Sequence, residues 1–153
     1  MKNMKLIITT LILVFTVQIG ISQELTQKYN SLLQRTEFFD SYGNMIAYAK
    51  ENTLLNQTEY YDNYGNLIKT EKKNTLLNRT ETYDSYGNQK SYEKNNSLLN
   101  QNETYDRNGN QKLVKKWNEL LNRYEVYDSY GNMKGYYKYN SLLDQYEFVK
   151  SSY

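Results

Sequence analysis

Residues 54–75 read LLNQTEYYDNYGNLIKTEKKNT, and the chain repeats this pattern every 22 residues without an insertion. The clearest marker is Asp-x-x-Gly-Asn. It stands at Asp40-Gly43-Asn44, Asp62-Gly65-Asn66, Asp84-Gly87-Asn88, Asp106-Gly109-Asn110 and Asp128-Gly131-Asn132. A Leu-Leu pair keeps the same beat, from Leu32-Leu33 and Leu54-Leu55 to Leu142-Leu143. A fixed period of this length marks an array of one small supersecondary unit.

Within the unit, Asp-x-x-Gly fits a type I turn with Asp first and Gly fourth. A left-handed Gly there forms a bulge that twists the flanking strands correctly. The Thr- and Tyr-rich run Asn56–Tyr61 before the turn and the run Leu67–Lys72 after it both suit strands. The polar cluster Lys72-Lys73-Asn74-Thr75 marks the connection to the next unit. Each repeat therefore predicts one β-hairpin. Trp117, Leu120, Leu121 and Tyr124 sit at helical spacing, but Glu51, Leu54, Leu55 and Thr58 in the same places of the first unit make no apolar stripe. The expected fold is all-β: tandem 22-residue hairpins forming a repetitive antiparallel meander, with a β-solenoid as the alternative. Charge favours the meander. Glu37, Glu59, Glu81, Glu103, Glu125 and Glu147 form one column, and Lys50, Lys72, Lys94, Lys116 and Lys138 form another. A solenoid stacks like charges about 4.8 Å apart, which is destabilising. A meander doubles that distance.

Counted from the turn, this register sets Phe39 opposite Met45, Glu37 opposite Ala47, Glu59 opposite Lys69 and Arg79 opposite Glu93. With mean hydropathy at −0.90 and 18 tyrosines, burial is expected to rest on Tyr rings and the Leu pairs.

Residues 1–22 differ from the rest. Lys2 and Lys5 precede an almost wholly apolar run, Leu6–Ile21, and Gly20-Ile21-Ser22 supplies small residues for cleavage near Ser22/Gln23. This pattern predicts a signal peptide, with an uncleaved membrane anchor as the alternative, and its Ile-Ser-Gln ending resembles those of Bacteroidetes bacteria. The expected organisation is a signal peptide over 1–22, a short linker over 23–30, and five repeats plus a final half repeat over 31–153. The product is exported, to the periplasm, cell surface or medium. Loss of Lys2 and Lys5 leaves 17 basic residues against 17 acidic ones. No electrostatic footprint for nucleic acid or an anionic membrane is then expected.

The sequence has no Cys, Pro or His, which removes disulfides and the commonest general base and metal ligand. Each Asp-x-x-Gly-Asn turn offers one carboxylate, too few for a calcium loop. A Glu–Asp pair for glycoside hydrolysis would recur in every unit, whereas such chemistry needs one defined pair in a cleft. The chain is expected to be non-enzymatic, with no cofactor or metal. The turns Asp40/Gly43, Asp62/Gly65, Asp84/Gly87, Asp106/Gly109 and Asp128/Gly131 are structural. Tyr42, Tyr64, Tyr86 and Tyr130 occupy their tips, with Asn108 in the fourth. A row of exposed aromatics suits contact with a protein or glycan; the alternative is that each ring folds back over its own hairpin.

Thr58-Glu-Tyr-Tyr-Asp-Asn-Tyr-Gly-Asn and Thr80-Glu-Thr-Tyr-Asp-Ser-Tyr-Gly-Asn resemble the RHS/YD repeat, whose core is Tyr-Asp-x-x-Gly once per roughly 21 residues. The likeness covers about residues 31–150, with Phe39-Asp40 in the first unit. It implies spiralling β-sheet built from hairpins. This chain is too short for the closed shells of that family and carries no toxin domain. A second, weaker likeness is to curlin, through the signal peptide, five repeats and a Gly-Asn at each turn; it implies a self-assembling fibre subunit. The charged columns and abundant Tyr depart from curlin. The expected function is a binding scaffold with tyrosine-tipped turns; the alternative is a self-associating structural subunit that adds strands at an open edge near Tyr146–Val149.

Overall fold

The computed structural model describes residues 25–151. They form twelve strands and no helix. The order is β1 (Leu25–Asn30), β2 (Arg35–Phe39), β3 (Met45–Asn52), β4 (Gln57–Asp62), β5 (Leu67–Asn74), β6 (Arg79–Asp84), β7 (Gln89–Asn96), β8 (Gln101–Asp106), β9 (Gln111–Asn118), β10 (Arg123–Asp128), β11 (Met133–Asn140) and β12 (Gln145–Lys150). Every strand pairs antiparallel with its sequence neighbours, and β1 pairs with β12, so the meander closes into a barrel.

The expected meander is the observed one, with like charges two strands apart. The region expected to be a linker holds β1, which joins Thr26 to Phe39 on one side and to Glu147 on the other. The edge expected near Tyr146–Val149 is therefore occupied on both sides. The signal peptide expected over 1–22 lies outside the described residues.

Two kinds of turn alternate around the barrel. The Asp turns form as expected. In the first, the Gly43 amide donates to the Asp40 carbonyl at 3.0 Å, and Asp40 Oδ1 accepts the Tyr42 and Asn44 amides at 2.9 and 2.8 Å. Gly43 has φ +83°, a left-handed conformation in which a Cβ is strained. The resulting bulge shifts the pairing between Phe38 and Phe39. Phe39 does face Met45, but Phe38 faces Ala47 and Glu37 faces Tyr48. The expected Glu59–Lys69 and Arg79–Glu93 pairs are likewise displaced by one residue, to Tyr60–Lys69 and Thr80–Glu93. The difference arises because each bulge adds one residue to the strand after the turn.

The other turns lie later than the lysine cluster. They are the four-residue segments such as Thr75-Leu76-Leu77-Asn78, and β5 runs on through Asn74. Asn52 Oδ1 accepts the Leu55 amide at 3.0 Å, and Asn56 closes the turn at φ +49°. Asn tolerates this left-handed conformation better than most residues. The leucine pairs are thus turn tips and not core, which corrects their expected burial.

The core is inside the barrel. Phe38, Ala47, Ala49 and Tyr60 form one buried cluster, and Val126, Tyr137 and Phe148 form another. Ile46, the first bulge residue, packs against both. Between them the inner wall is polar, with Lys69, Glu71, Thr82 and Thr104 buried.

Candidate functional site

The alternation of turns gives the barrel two unlike ends. One carries the five Asp turns. Tyr42, Tyr64, Tyr86 and Tyr130 are all between 80% and 90% exposed there, so the rings do not fold back over their hairpins. Asn66 Nδ2 donates to Asp62 Oδ2 at 2.8 Å, and equivalent bonds brace the other Asp turns. At three turns a lysine at the bulge position adds an ion pair, Lys90–Asp84 at 3.1 Å, Lys112–Asp106 at 3.3 Å and Lys134–Asp128 at 3.0 Å. These bonds hold Asp84 and Asp106 at about pKa 2: for Asp84 the Asn88 amide acts most strongly, and for Asp106 the Asn110 side chain. The turns are firm supports for the tyrosines.

The opposite end carries six Leu-Leu turns. The first leucine of each pair is 89–96% exposed and the second 47–63%. Twelve leucines thus ring one end of the barrel, an apolar rim where burial in the core was expected. Exposed apolar side chains gathered at one end make a candidate interaction site.

The outer wall repeats one polar motif. Lys28 faces Glu37, Lys50 faces Glu59, Lys72 faces Glu81, and so on to Lys138 and Glu147. Each of these glutamates is covered by its neighbours. Glu59, for example, accepts from Asn52 at 2.8 Å, Gln57 at 2.7 Å and the Tyr61 hydroxyl at 2.7 Å. The Tyr61 bond is the main reason the Glu59 carboxyl is held below its ordinary range, and the same bond raises the Tyr61 phenol to about 12.

A longer pattern is superposed on the repeat. Arg35, Arg79 and Arg123 alternate with Gln57, Gln101 and Gln145. The guanidiniums lie over Tyr48, Tyr92 and Tyr136 at 4.4, 4.4 and 3.8 Å. This is a 44-residue period superposed on the 22, visible in the sequence when alternate units are aligned.

Inside, Lys69 Nζ meets Glu71 Oε1 at 2.5 Å and sits 4.2 Å from the Tyr60 ring centre, while the Tyr60 hydroxyl donates to Glu71 Oε2 at 2.8 Å. Glu93 lies nearby, its pKa raised by burial and lowered less by Lys115. Among the described residues, no buried side-chain nitrogen or oxygen lacks a hydrogen-bond partner, and no three carboxylates cluster to hold a metal. Near the leucine end, a cavity of about 580 Å³ opens among Asn95, Asn102, Trp117, Tyr124, Tyr139 and Tyr146. Trp117 meets Tyr124 edge-on at 4.8 Å, and Tyr139 meets Tyr146 at 4.9 Å.

No protein-family model matches the chain. No curated protein matches it in sequence. Among solved structures, the barrel is similar to the X-ray structure of a protein from Arabidopsis thaliana, with a TM-score of 0.63 and 11% identity over 84% of this chain and 79% of that one. At that identity the likeness is one of fold. It supports an all-β barrel.

Proposed function

We propose that the chain is an exported, non-enzymatic binding scaffold that holds a protein partner against its tyrosine rim. The observation that carries this reading is the exposure of Tyr42, Tyr64, Tyr86 and Tyr130 on braced turns at one end of a closed barrel. Rigid tyrosines give large contact area at low entropic cost. A ring of separate exposed tips suits a protein surface better than a small ligand. The Tyr-Asp-x-x-Gly likeness to RHS/YD repeats of surface proteins agrees with export. The outward Glu and Lys columns are the reverse of the apolar band of a membrane-spanning barrel, which supports a water-surrounded wall. The test is site-specific photo-crosslinking from Tyr64 in cells, with Thr70 on the outer wall as control. A discrete product seen only from position 64, and lost when the other three tyrosines are serine, supports the scaffold. Identical products from both positions would overturn it.

The leucine rim favours a second reading, self-association. Strand addition has no open edge to use among the described residues, so copies would meet rim to rim. Sedimentation velocity across a wide concentration range decides it: a constant monomer excludes this reading.

A further inference from the structure

The 22-residue repeat holds in the outward Glu and Lys columns and breaks on the inside of the barrel. The outward Glu and Lys columns hold one residue type throughout. The inward position nearest the leucine end on β3, β5, β7, β9 and β11 holds Glu51, Lys73, Asn95, Trp117 and Tyr139. Its neighbour on β4, β6, β8, β10 and β12 holds Thr58, Thr80, Asn102, Tyr124 and Tyr146. Building a wall requires none of this divergence, since one Thr or Glu would serve in every unit. The divergence gathers four aromatic rings and two amides around the cavity of about 580 Å³, a volume within the usual range for small-molecule sites.

We propose that this cavity binds a short neutral saccharide. Three observations select that chemistry. First, the rings are not parallel: Trp117 and Tyr124 stand at 63° and Tyr139 and Tyr146 at 48°. They offer a curved apolar wall for puckered C–H surfaces and no slot for a flat aromatic. Second, the polar groups beside the rings are mostly neutral donors and acceptors, Lys115 and Arg123 being the charged members of the lining. Asn95 Nδ2 donates to Asn102 Oδ1 at 2.8 Å, which leaves the Asn95 oxygen and the Asn102 amide hydrogens toward hydroxyl groups. The Tyr124 and Tyr146 hydroxyls make no hydrogen bond within the described residues, and both rings line the cavity. Third, charge argues against ions. No carboxylate lines the cavity, so an organic cation has rings but no counter-charge. Two cations line it, and both are engaged within the protein: Lys115 acts on Glu93 inside the barrel, and Arg123 pairs with Glu125 at 2.7 Å.

Trp117 is the single tryptophan of the chain, so its emission reports on this cavity alone. The experiment is a fluorescence titration of the purified protein with neutral trisaccharides of gluco, manno, galacto and xylo configuration, to millimolar concentration, repeated by calorimetry. Tetramethylammonium and indole acetate serve as comparison ligands. A saturable emission change with at least one saccharide, weakened about tenfold by Tyr124→Ala or Tyr146→Ala in protein of unchanged circular dichroism, is the expected result. Asn102→Leu, which removes polar groups and keeps volume, gives a folded second variant with the same loss. Silence with all four sugars, or tighter binding of either comparison ligand, overturns the proposal. Serine at the rim tyrosines leaves this titration unchanged, so its failure and that of the scaffold reading are separable.

Discussion

Lys69 and Glu71 are two residues apart on β5, face inward together, and form an ion pair at 2.5 Å with both side chains 4% exposed. Alternation along a strand puts residues i and i+2 on one face, and closure of the barrel buries them. Removing one partner leaves a buried charge. Lys69→Met is expected to cost about 3–5 kcal/mol, and Lys69→Met with Glu71→Leu distinctly less. Urea denaturation of the two variants tests this; equal losses would show that the pair is not the unit of stability.

Gly135 occupies the inward position that holds Ala47, Lys69, Ser91 and Leu113 in earlier units. A Cβ there would collide with the Val149 carbonyl oxygen and lie 2.5 Å from the Phe148 ring. Phe148 fills the space a side chain would need. Gly135→Ala is expected to lower stability by about 1–3 kcal/mol through overpacking, and Gly135→Ala with Phe148→Leu to recover part of it. Thermal unfolding of both variants is the check.

Stability should fall at both extremes of pH. In acid, Asp84 and Asp106 have folded values of about 2 against the ordinary 3.8. A depressed folded value contributes stability above about pH 4 that is lost as pH falls toward 2. In alkali, Tyr61 is raised from 10 to about 12 by its bond to Glu59. A raised value contributes stability fully present below pH 10 and lost as pH rises through 12. Urea midpoints across pH should trace both limbs, and Tyr61→Phe should flatten the alkaline one.

Leu54, Leu76, Leu98 and Leu120 are each at least 92% exposed. Replacing all four with Ser should change stability by no more than about 0.5 kcal/mol per site, while abolishing any rim-to-rim association. A large loss of stability in urea would show that the rim is structural.

β1 closes the barrel, so a chain starting at residue 31 presents β2 and β12 as bare edges. Exposed edges template pairing between chains. The truncated chain is expected to form thioflavin-positive assemblies that the intact chain does not. A soluble, monomeric truncation would show that closure is dispensable.

Much of the fold was legible. The Asp-x-x-Gly-Asn turns, the hairpin unit and the meander follow from local rules: a left-handed Gly, an Asp that bonds its own turn, and the spacing of like charges. The register slipped by one because a bulge residue is not countable from turn chemistry alone. The leucine pairs misled, since apolar residues suggest burial and only the Asn-anchored turn shows them at the tips. The exposure of the turn tyrosines was legible from turn position. The cavity was not. Trp117, Tyr124, Tyr139 and Tyr146 read as scattered departures from a repeat until closure brings β9 to β12 around one space.

The sequence alone determined what is local: the period, the Asp turn, and which residues share a face of a strand. Tertiary structure decided that the array closes, that β1 completes it and which face lies inside. Closure joins residues more than a hundred positions apart, as Thr26 to Glu147. It depends on the summed twist and stagger of twelve strands, a property no single repeat carries.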